Sequence, residues 1–174
     1  MAWRKYTDPN KAIEYLNNAI KLQPNDARAY NYRGVAYKNL DQKQRAIEDY
    51  NEAIRLKPDY ALAHYNRGTV YSELGQYKRA IDDYNETIRL KPDFAVVYNS
   101  RGNNYNKLHQ YQHAIDDFNK AIRMQPNDAN AYNNRSITYF MQGNDKLGCR
   151  DAKKACTMGV CKALELTKSR GYCR

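Results

Sequence analysis

Arginine and aspartate recur along the chain at a fixed separation and are the residues best placed to do chemistry. Each of four arginines is followed at the same separation by an aspartate, in the pairs Arg33 and Asp49, Arg67 and Asp83, Arg101 and Asp117, and Arg135 and Asp151. A row of arginines could bind an anionic ligand, and carboxylates could act as general acids or bases. Because an aspartate accompanies each of these four arginines, we interpret the pairs as a structural ladder. Anion binding by the row of arginines is the alternative.

The three histidines, His64, His109 and His113, give no sign of a catalytic or metal-binding set. The sequence contains no HExxH, GxSxG, Walker-type or GxGxxG motif. We therefore expect no enzymatic activity, no cofactor and no metal ion.

Several residue types return with a 34-residue period, which identifies an internal repeat. They include Pro24, Pro58, Pro92 and Pro126, then Gly34, Gly68, Gly102 and Ser136, and also Tyr37, Tyr71, Tyr105 and Tyr139. Between them, Ala46, Ile47, Tyr50, Ala53 and Ile54 have the spacing of one helical face. Asp or Asn after each proline is expected to cap the next helix, and Asp8-Pro9 to begin the first, the predicted caps being Asn25, Asp59, Asp93 and Asn127.

This pattern of aromatic, small, Tyr, Ala, aromatic, Ala and Pro residues resembles the tetratricopeptide repeat family. The resemblance implies an all-α fold, a right-handed superhelical solenoid of antiparallel helix pairs. We expect four full repeats at 27–60, 61–94, 95–128 and 129–162. A half repeat with only a second helix is expected at 1–26, and a capping segment at 160–174. His64 replaces Tyr30, Tyr98 and Tyr132 in this register, so we expect it to pack structurally.

In that family the first helix of each copy lines a concave groove that receives a peptide or a helix. Transferred residue by residue, the groove comprises Asn31, Tyr32, Tyr65, Asn66, Asn99, Ser100, Asn103, Asn133 and Asn134. Asparagine donates and accepts, so a row of asparagines can pair with a ligand's backbone. The alternative is that they only tolerate water on an exposed face. A carboxylate clamp for chaperone tails is not expected, because only Asn66 fits its pattern.

All four cysteines, Cys149, Cys156, Cys161 and Cys173, lie close to the C-terminal end at spacings that match no zinc or haem site. They could be small core residues, since Cys149 and Cys156 replace isoleucines of the first copy. Alternatively, if the fourth copy's second helix and the cap run antiparallel, Cys156 meets Cys161 and Cys149 meets Cys173. Two disulfides would indicate an oxidising compartment such as the periplasm, and free thiols a cytoplasmic location.

The formal net charge of +10 belongs largely to the C-terminal end, because residues 150–174 hold seven Lys or Arg against Asp151 and Glu165. A nucleic-acid binder needs cations and aromatic residues along one groove, so we do not expect nucleic acid as the partner and keep a nucleic-acid-binding helical repeat only as the alternative. The sequence predicts instead a scaffold that binds a protein or peptide, or an interaction domain of a longer protein. No membrane span or secretory signal is expected, and the open N-terminal half repeat could mediate self-association.

Overall fold

The computed structural model describes residues 8–169, 171 and 173, without the side chains of residues 168 and 169. Residues 1–7 of the predicted half repeat, and residues 170, 172 and 174 of the predicted capping segment, lie outside the described residues. The described residues form helices and no strand, so the predicted all-α fold is confirmed. The helices are α1 (Pro9–Leu22), α2 (Ala27–Asn39), α3 (Lys43–Leu56), α4 (Ala61–Glu73), α5 (Tyr77–Leu90), α6 (Ala95–Lys107), α7 (Tyr111–Met124), α8 (Ala129–Met141), α9 (Asp145–Thr157) and α10 (Lys162–Ser169).

The helices form two compact units. In the first unit, residues 1–91, each of the helices α1 to α5 packs against the next, and α2 also contacts α4. In the second unit, residues 92–174, α6 to α10 pack in the same consecutive manner. There α6 contacts α8, and α8 contacts α10. First helices of successive copies therefore lie side by side within each unit.

In each helix pair, a small residue on one helix packs against an aromatic ring on the other. A Cβ atom at Gly34 would lie 2.7 Å from Cε1 of Tyr50, and one at Gly102 would lie 2.8 Å from Cε1 of Phe118. Such distances leave no room for a side chain, so glycine permits the close approach. Tyr50 and Phe118 are fully buried, which places the core between the two helices of a copy.

The turn between the two helices of a copy needs a left-handed residue at the same register each time. Asp41, Gly75, His109 and Gly143 occupy equivalent positions of successive copies and have φ angles of 57°, 73°, 58° and 75°. Glycine adopts this conformation without steric cost, and aspartate and histidine are among the residues that tolerate it best. This accounts for His109, which is an exposed turn residue.

The predicted helix caps are wrong by one position at the start of the first helices. The side chains of Asp26 and Asp128, not of Asn25 and Asn127, accept the backbone N–H groups of Arg28 and Asn130. In α4 and α6 the cap residues are Tyr60 and Phe94, and neither helix has a capping side-chain bond. The reason is that the proline and the residue after it form the turn itself, so the helix begins later. Asp8, by contrast, caps α1 as predicted.

Candidate functional site

Two asparagines join the first helices α2 and α4 in the first unit. The side-chain amide of Asn66 donates to the side-chain oxygen of Asn31 over 2.9 Å. Asn31 is 2% exposed, so this bond satisfies a buried acceptor. Tyr60 lies beside the pair, where burial raises its pKa to about 12 although a hydrogen bond with Asn31 acts in the opposite direction. The amide of Asn66, which is half-buried, is thus held in one orientation.

The same arrangement occurs in the second unit, between α6 and α8. The side-chain amide of Asn134 donates to the side-chain oxygen of Asn99 over 3.1 Å. The two partners of each pair have the same sequence separation, and the second pair lies two copies after the first. We refer to Asn31–Asn66 and Asn99–Asn134 as the amide pairs. In each pair, one asparagine orients the other.

The other predicted groove residues have different surroundings. Asn103 is exposed, whereas Tyr32, Tyr65 and Ser100 are half-buried. The ring of Tyr65 lies 5.9 Å from that of Tyr84, centroid to centroid. The backbone oxygen of Ser100 accepts a bond from the buried Asn104, which the sequence analysis did not select.

Asn133 does not meet the expectation of an open groove residue. It is 8% exposed, and its side-chain oxygen accepts the backbone N–H of Ala163 over 3.2 Å. Ala163 lies in the first turn of α10, where backbone N–H groups lack partners within the helix. Asn133 therefore holds the start of α10 against α8. Asn31 is likewise buried, so neither residue presents its side chain to a ligand.

The four arginines of the predicted ladder face their aspartates. Arg33 donates to both carboxylate oxygens of Asp49 at 2.8 and 2.7 Å, Arg67 to those of Asp83 at 2.9 and 2.7 Å, and Arg101 to those of Asp117 at 2.8 and 2.7 Å. Arg135 donates to Asp151 at 2.6 Å. Planar two-point pairing is the strongest form of this interaction, and it uses the groups that an anionic ligand would need.

Three of these arginines also reach back to an asparagine that the sequence analysis missed. The Nη1 atoms of Arg33, Arg67 and Arg135 donate to side-chain oxygens at 2.8, 2.7 and 2.5 Å, on Asn17, Asn51 and Asn119. The signal was present, because Asn17, Asn51, Asn85 and Asn119 recur at the period of the repeat. Each of the three arginines therefore joins its own helix to the second helices of its own copy and of the copy before.

Burial and pairing act in opposite directions on the ionised groups of this ladder. Desolvation raises the pKa of Asp49 and of Asp117, while the hydrogen bond that Arg33 donates to Asp49 raises the pKa of Arg33. The two-point geometry favours the ionised pair, because both oxygens of each carboxylate accept charge-assisted bonds. Tyr30 and Tyr37 flank Arg33, with ring centroids 5.4 and 5.9 Å from its Cζ atom.

His64 takes over a hydrogen bond that tyrosine makes elsewhere. Its Nε2 atom lies 3.0 Å from the backbone oxygen of Pro58. In the second unit the hydroxyl of Tyr98 donates to the corresponding oxygen of Pro92 over 3.1 Å. His64 is 7% exposed, and its position fits the structural role that the repeat register predicts.

The cysteines join α10 to α9. Cys149 is bonded to Cys173, with their Cα atoms 5.5 Å apart, and Cys156 is bonded to Cys161, with their Cα atoms 4.1 Å apart. These pairs agree with the disulfide hypothesis. Cys173 packs with Ala152, Ala163 and Leu164 in a small core under α10.

Among the residues that the structure describes, no group of three or more His, Cys, Asp or Glu could hold a metal ion. No helix formed by these residues is both long and apolar enough to cross a bilayer.

Comparison with protein families places the repeats in one family along most of the chain. A TPR repeat model matches residues 9–41 and 42–75, and tetratricopeptide repeat models match 61–94, 95–128 and 118–147. The chain belongs to the tetratricopeptide repeat family. The predicted family is thereby confirmed, and tetratricopeptide repeat proteins are in general scaffolds for protein interaction. No curated protein sequence matches the chain.

Solved structures of tetratricopeptide repeat proteins share the fold. A crystal structure of MamA has a TM-score of 0.83 at 24% identity and covers 96% of this chain and 94% of that chain. MamA from Desulfovibrio magneticus RS-1 has a TM-score of 0.83 at 23% identity, with coverages of 87% and 86%. YrrB, described as a TPR protein with an unusual peptide-binding site, has a TM-score of 0.80 at 22% identity, with coverages of 92% and 84%.

Proposed function

We propose that this protein is an interaction scaffold whose two units each bind an extended peptide of a partner through the amide pair on their first helices. The observation that carries the proposal is the hydrogen bond between Asn66 and Asn31, repeated between Asn134 and Asn99. In Asn134 the side-chain oxygen already accepts one bond, from Asn133 over 3.5 Å, but an amide oxygen can accept two. Each amide pair therefore leaves the donor asparagine with an oxygen that can accept a bond and with its second N–H. Those two groups match the N–H and C=O of a peptide backbone.

Pre-orientation is the physical reason for preferring these residues over other polar groups. An asparagine on an exposed helix loses side-chain entropy when it binds a ligand, and an amide already fixed by a neighbour loses less. A ligand that is bound through its backbone N–H and C=O groups needs no charged partner, so the surface around the amide pairs can bind it without charged side chains. In the first unit, two cations on the same helices are paired, since Lys38 lies 3.1 Å from Glu73 and Arg67 is bonded to Asp83.

The same charge balance argues against a nucleic-acid partner. The arginines of the ladder already bind carboxylates, so they offer phosphates little. YrrB, which shares the fold, is described as having a peptide-binding site, and this supports the proposal that a peptide is the ligand. Self-association through the N-terminal half repeat stays a prediction.

A display library of short random peptides tests the proposal. We expect the wild-type protein to enrich a set of peptides, and Asn66→Ala or Asn134→Ala to lose part of that set. Asn18→Ala and Asn127→Ala are the matched controls, because both asparagines are exposed and lie outside the first helices. Circular dichroism of each variant shows that the helices remain.

Two results would overturn the proposal. One is a library without enrichment on the wild-type protein. The other is a set of enriched peptides that binds both amide variants as tightly as the controls. Enrichment that disappears at raised salt would indicate a charged surface instead of the amide pairs.

A further inference from the structure

An apolar cavity of about 300 Å³ lies between α8 and α10 in the second unit. Ile137, Phe140 and Met141 of α8 form one wall. Ala163, Leu166 and Thr167 of α10 form the other. This volume is at the small end of the range for ligand-binding pockets, and it suits one large side chain.

The cavity continues the helix face that carries an amide pair. Asn134, Ile137 and Met141 stand at positions i, i+3 and i+7 of α8, so they share one face. Three residues of helix rise by about 4.5 Å, a distance that one to two residues of an extended chain span at about 3.3 Å each. A peptide whose backbone bonds to Asn134 therefore has a side chain within reach of the cavity.

Two residues of the cavity leave apolar surface uncovered. Met141 is 54% exposed and Leu166 is 51% exposed. Large apolar side chains that meet at the mouth of a cavity are typical of an interaction site.

One carboxylate at the cavity distinguishes between occupants. Asp145 is the first residue of α9, lines the cavity and is half-buried. Among the described residues it has no ion-pair partner. A lysine or arginine next to the apolar side chain of an occupant would pair with this carboxylate, whereas an acidic residue there would be repelled by it.

The wall formed by α10 is held in place at several points. Asn133 bonds the start of the helix, the Cys156–Cys161 bond precedes it, and the Cys149–Cys173 bond follows it. The hydroxyl of Thr167 donates to the backbone oxygen of Ala163 over 2.8 Å. The cavity is therefore formed before any ligand arrives, which lowers the entropy cost of binding.

We propose that this cavity binds a large aliphatic or aromatic side chain of the partner peptide, next to a lysine or arginine that pairs with Asp145. The inference rests on the proposed function and specifies the partner for the second unit. The apolar side chain supplies the affinity, and the cation supplies the selectivity.

Three amidated dipeptides with acetylated N-termini test this inference in NMR titrations of the complete chain. Tryptophanyl-lysine should shift the backbone amide signals of Ile137 and Leu166. Tryptophanyl-glutamate should bind about tenfold more weakly, and alanyl-lysine should not bind measurably. The variants Met141→Ser and Leu166→Ser should each weaken tryptophanyl-lysine binding by about tenfold, because each removes apolar contact area.

Leu22→Ser is the matched control, because Leu22 is 83% exposed, lies in the first unit and should not affect binding. The inference fails if tryptophanyl-lysine does not bind, if alanyl-lysine binds as tightly, or if the two cavity variants match the control. It also fails if tryptophanyl-glutamate binds as well as tryptophanyl-lysine. The dipeptides do not depend on library enrichment, so the cavity can fail while the amide pairs still bind peptides.

Discussion

Phe140 covers Gly148 so closely that a Cβ atom at residue 148 would lie 2.7 Å from the Cε1 and Cζ atoms of the ring. The ring comes from the first helix of the fourth copy and the glycine from the second. In the first three copies the arrangement is the reverse, with glycine on the first helix and the ring on the second, as in Gly34 and Tyr50. The fourth copy thus keeps the close helix contact but exchanges the roles of its two helices.

Two further residues of the fourth copy differ from their equivalents in the earlier copies in a way that fits this exchange. Ser136 stands where the earlier copies have glycine, and its hydroxyl donates to the backbone oxygen of Gly148 over 2.9 Å. Ala152 stands where they have Tyr50, Tyr84 and Phe118. Because the ring now comes from α8, residue 152 must be small.

Gly148→Ala should therefore destabilise the protein. We expect a loss of about 1–3 kcal/mol in the free energy of unfolding, since the new methyl group displaces a packed ring. Chemical denaturation of the single variant and of Gly148→Ala/Phe140→Leu measures it. The double variant should recover part of the loss, and strictly additive effects would show that the two residues are not in contact.

Arg33→Leu should destabilise the first unit more than the loss of a surface ion pair does. The change leaves Asp49 buried without its cation and Asn17 without its donor, so we expect a loss of about 3–5 kcal/mol. Urea unfolding measures it. Arg55→Ala is the control, because Arg55 pairs with Glu52 at the surface and its loss should leave the free energy of unfolding nearly unchanged. Equal effects of the two substitutions would contradict a structural role for the ladder.

Stability should fall steeply at alkaline pH because of buried tyrosines. Burial raises the pKa of Tyr84 to about 12. An unfolded chain loses this proton near pH 10, so between the two values the unfolded state binds fewer protons and unfolding becomes easier as the pH rises. Tyr84 alone should contribute a loss of about 3 kcal/mol over that range.

The variant Tyr84→Phe isolates this effect. Phe118 occupies the equivalent position in the third copy, so the ring without its hydroxyl is compatible with the repeat. We expect the variant to lose less stability than the wild type between pH 10 and pH 12 in unfolding measurements at fixed pH. Identical pH dependences would show that Tyr84 ionises as freely in the folded protein as in the unfolded chain.

The two cysteine bonds should differ in their contribution to stability. Cys149 and Cys173 are 24 residues apart and Cys156 and Cys161 only 5, so the first bond closes the longer loop. Loop-closure entropy predicts losses of about 3.5 and about 2 kcal/mol for the paired serine variants. Intact mass after alkylation without reductant should be unchanged, whereas four added alkyl groups would contradict both bonds.

Much of the fold follows from the period of the repeat, because residues with equal surroundings are under equal packing constraints. The period predicted the helix pairs, the small residues between them and the spacing of arginine and aspartate. Asparagines recur at the same period, at Asn17, Asn51, Asn85 and Asn119. Only the structure shows that arginines of the ladder donate hydrogen bonds to asparagines of this set. The helix caps were displaced by one residue, because a turn and a cap use the same residue types.

The candidate binding face could be predicted only in outline. A row of asparagines on the first helices was visible in the sequence, but the partner of each amide was not. Asn31 bonds to Asn66 in the next copy, whereas Asn133, at the same register, bonds to the backbone of Ala163. The partner of each asparagine is supplied by the next copy or by α10. Because both residues are asparagines at the same register, the sequence does not distinguish the two cases.

Local chemistry and repetition in the chain thus specify which helices form and where each copy places its glycine, ring and ion pair. These features depend on contacts within a copy or between adjacent copies, whose spacing along the chain is constant. Tertiary packing decides which polar side chains remain at the surface and where a cavity opens. The cavity between Ile137 and Leu166 lies where α10 packs against α8, and α10 does not follow the 34-residue period from which the other contacts could be predicted.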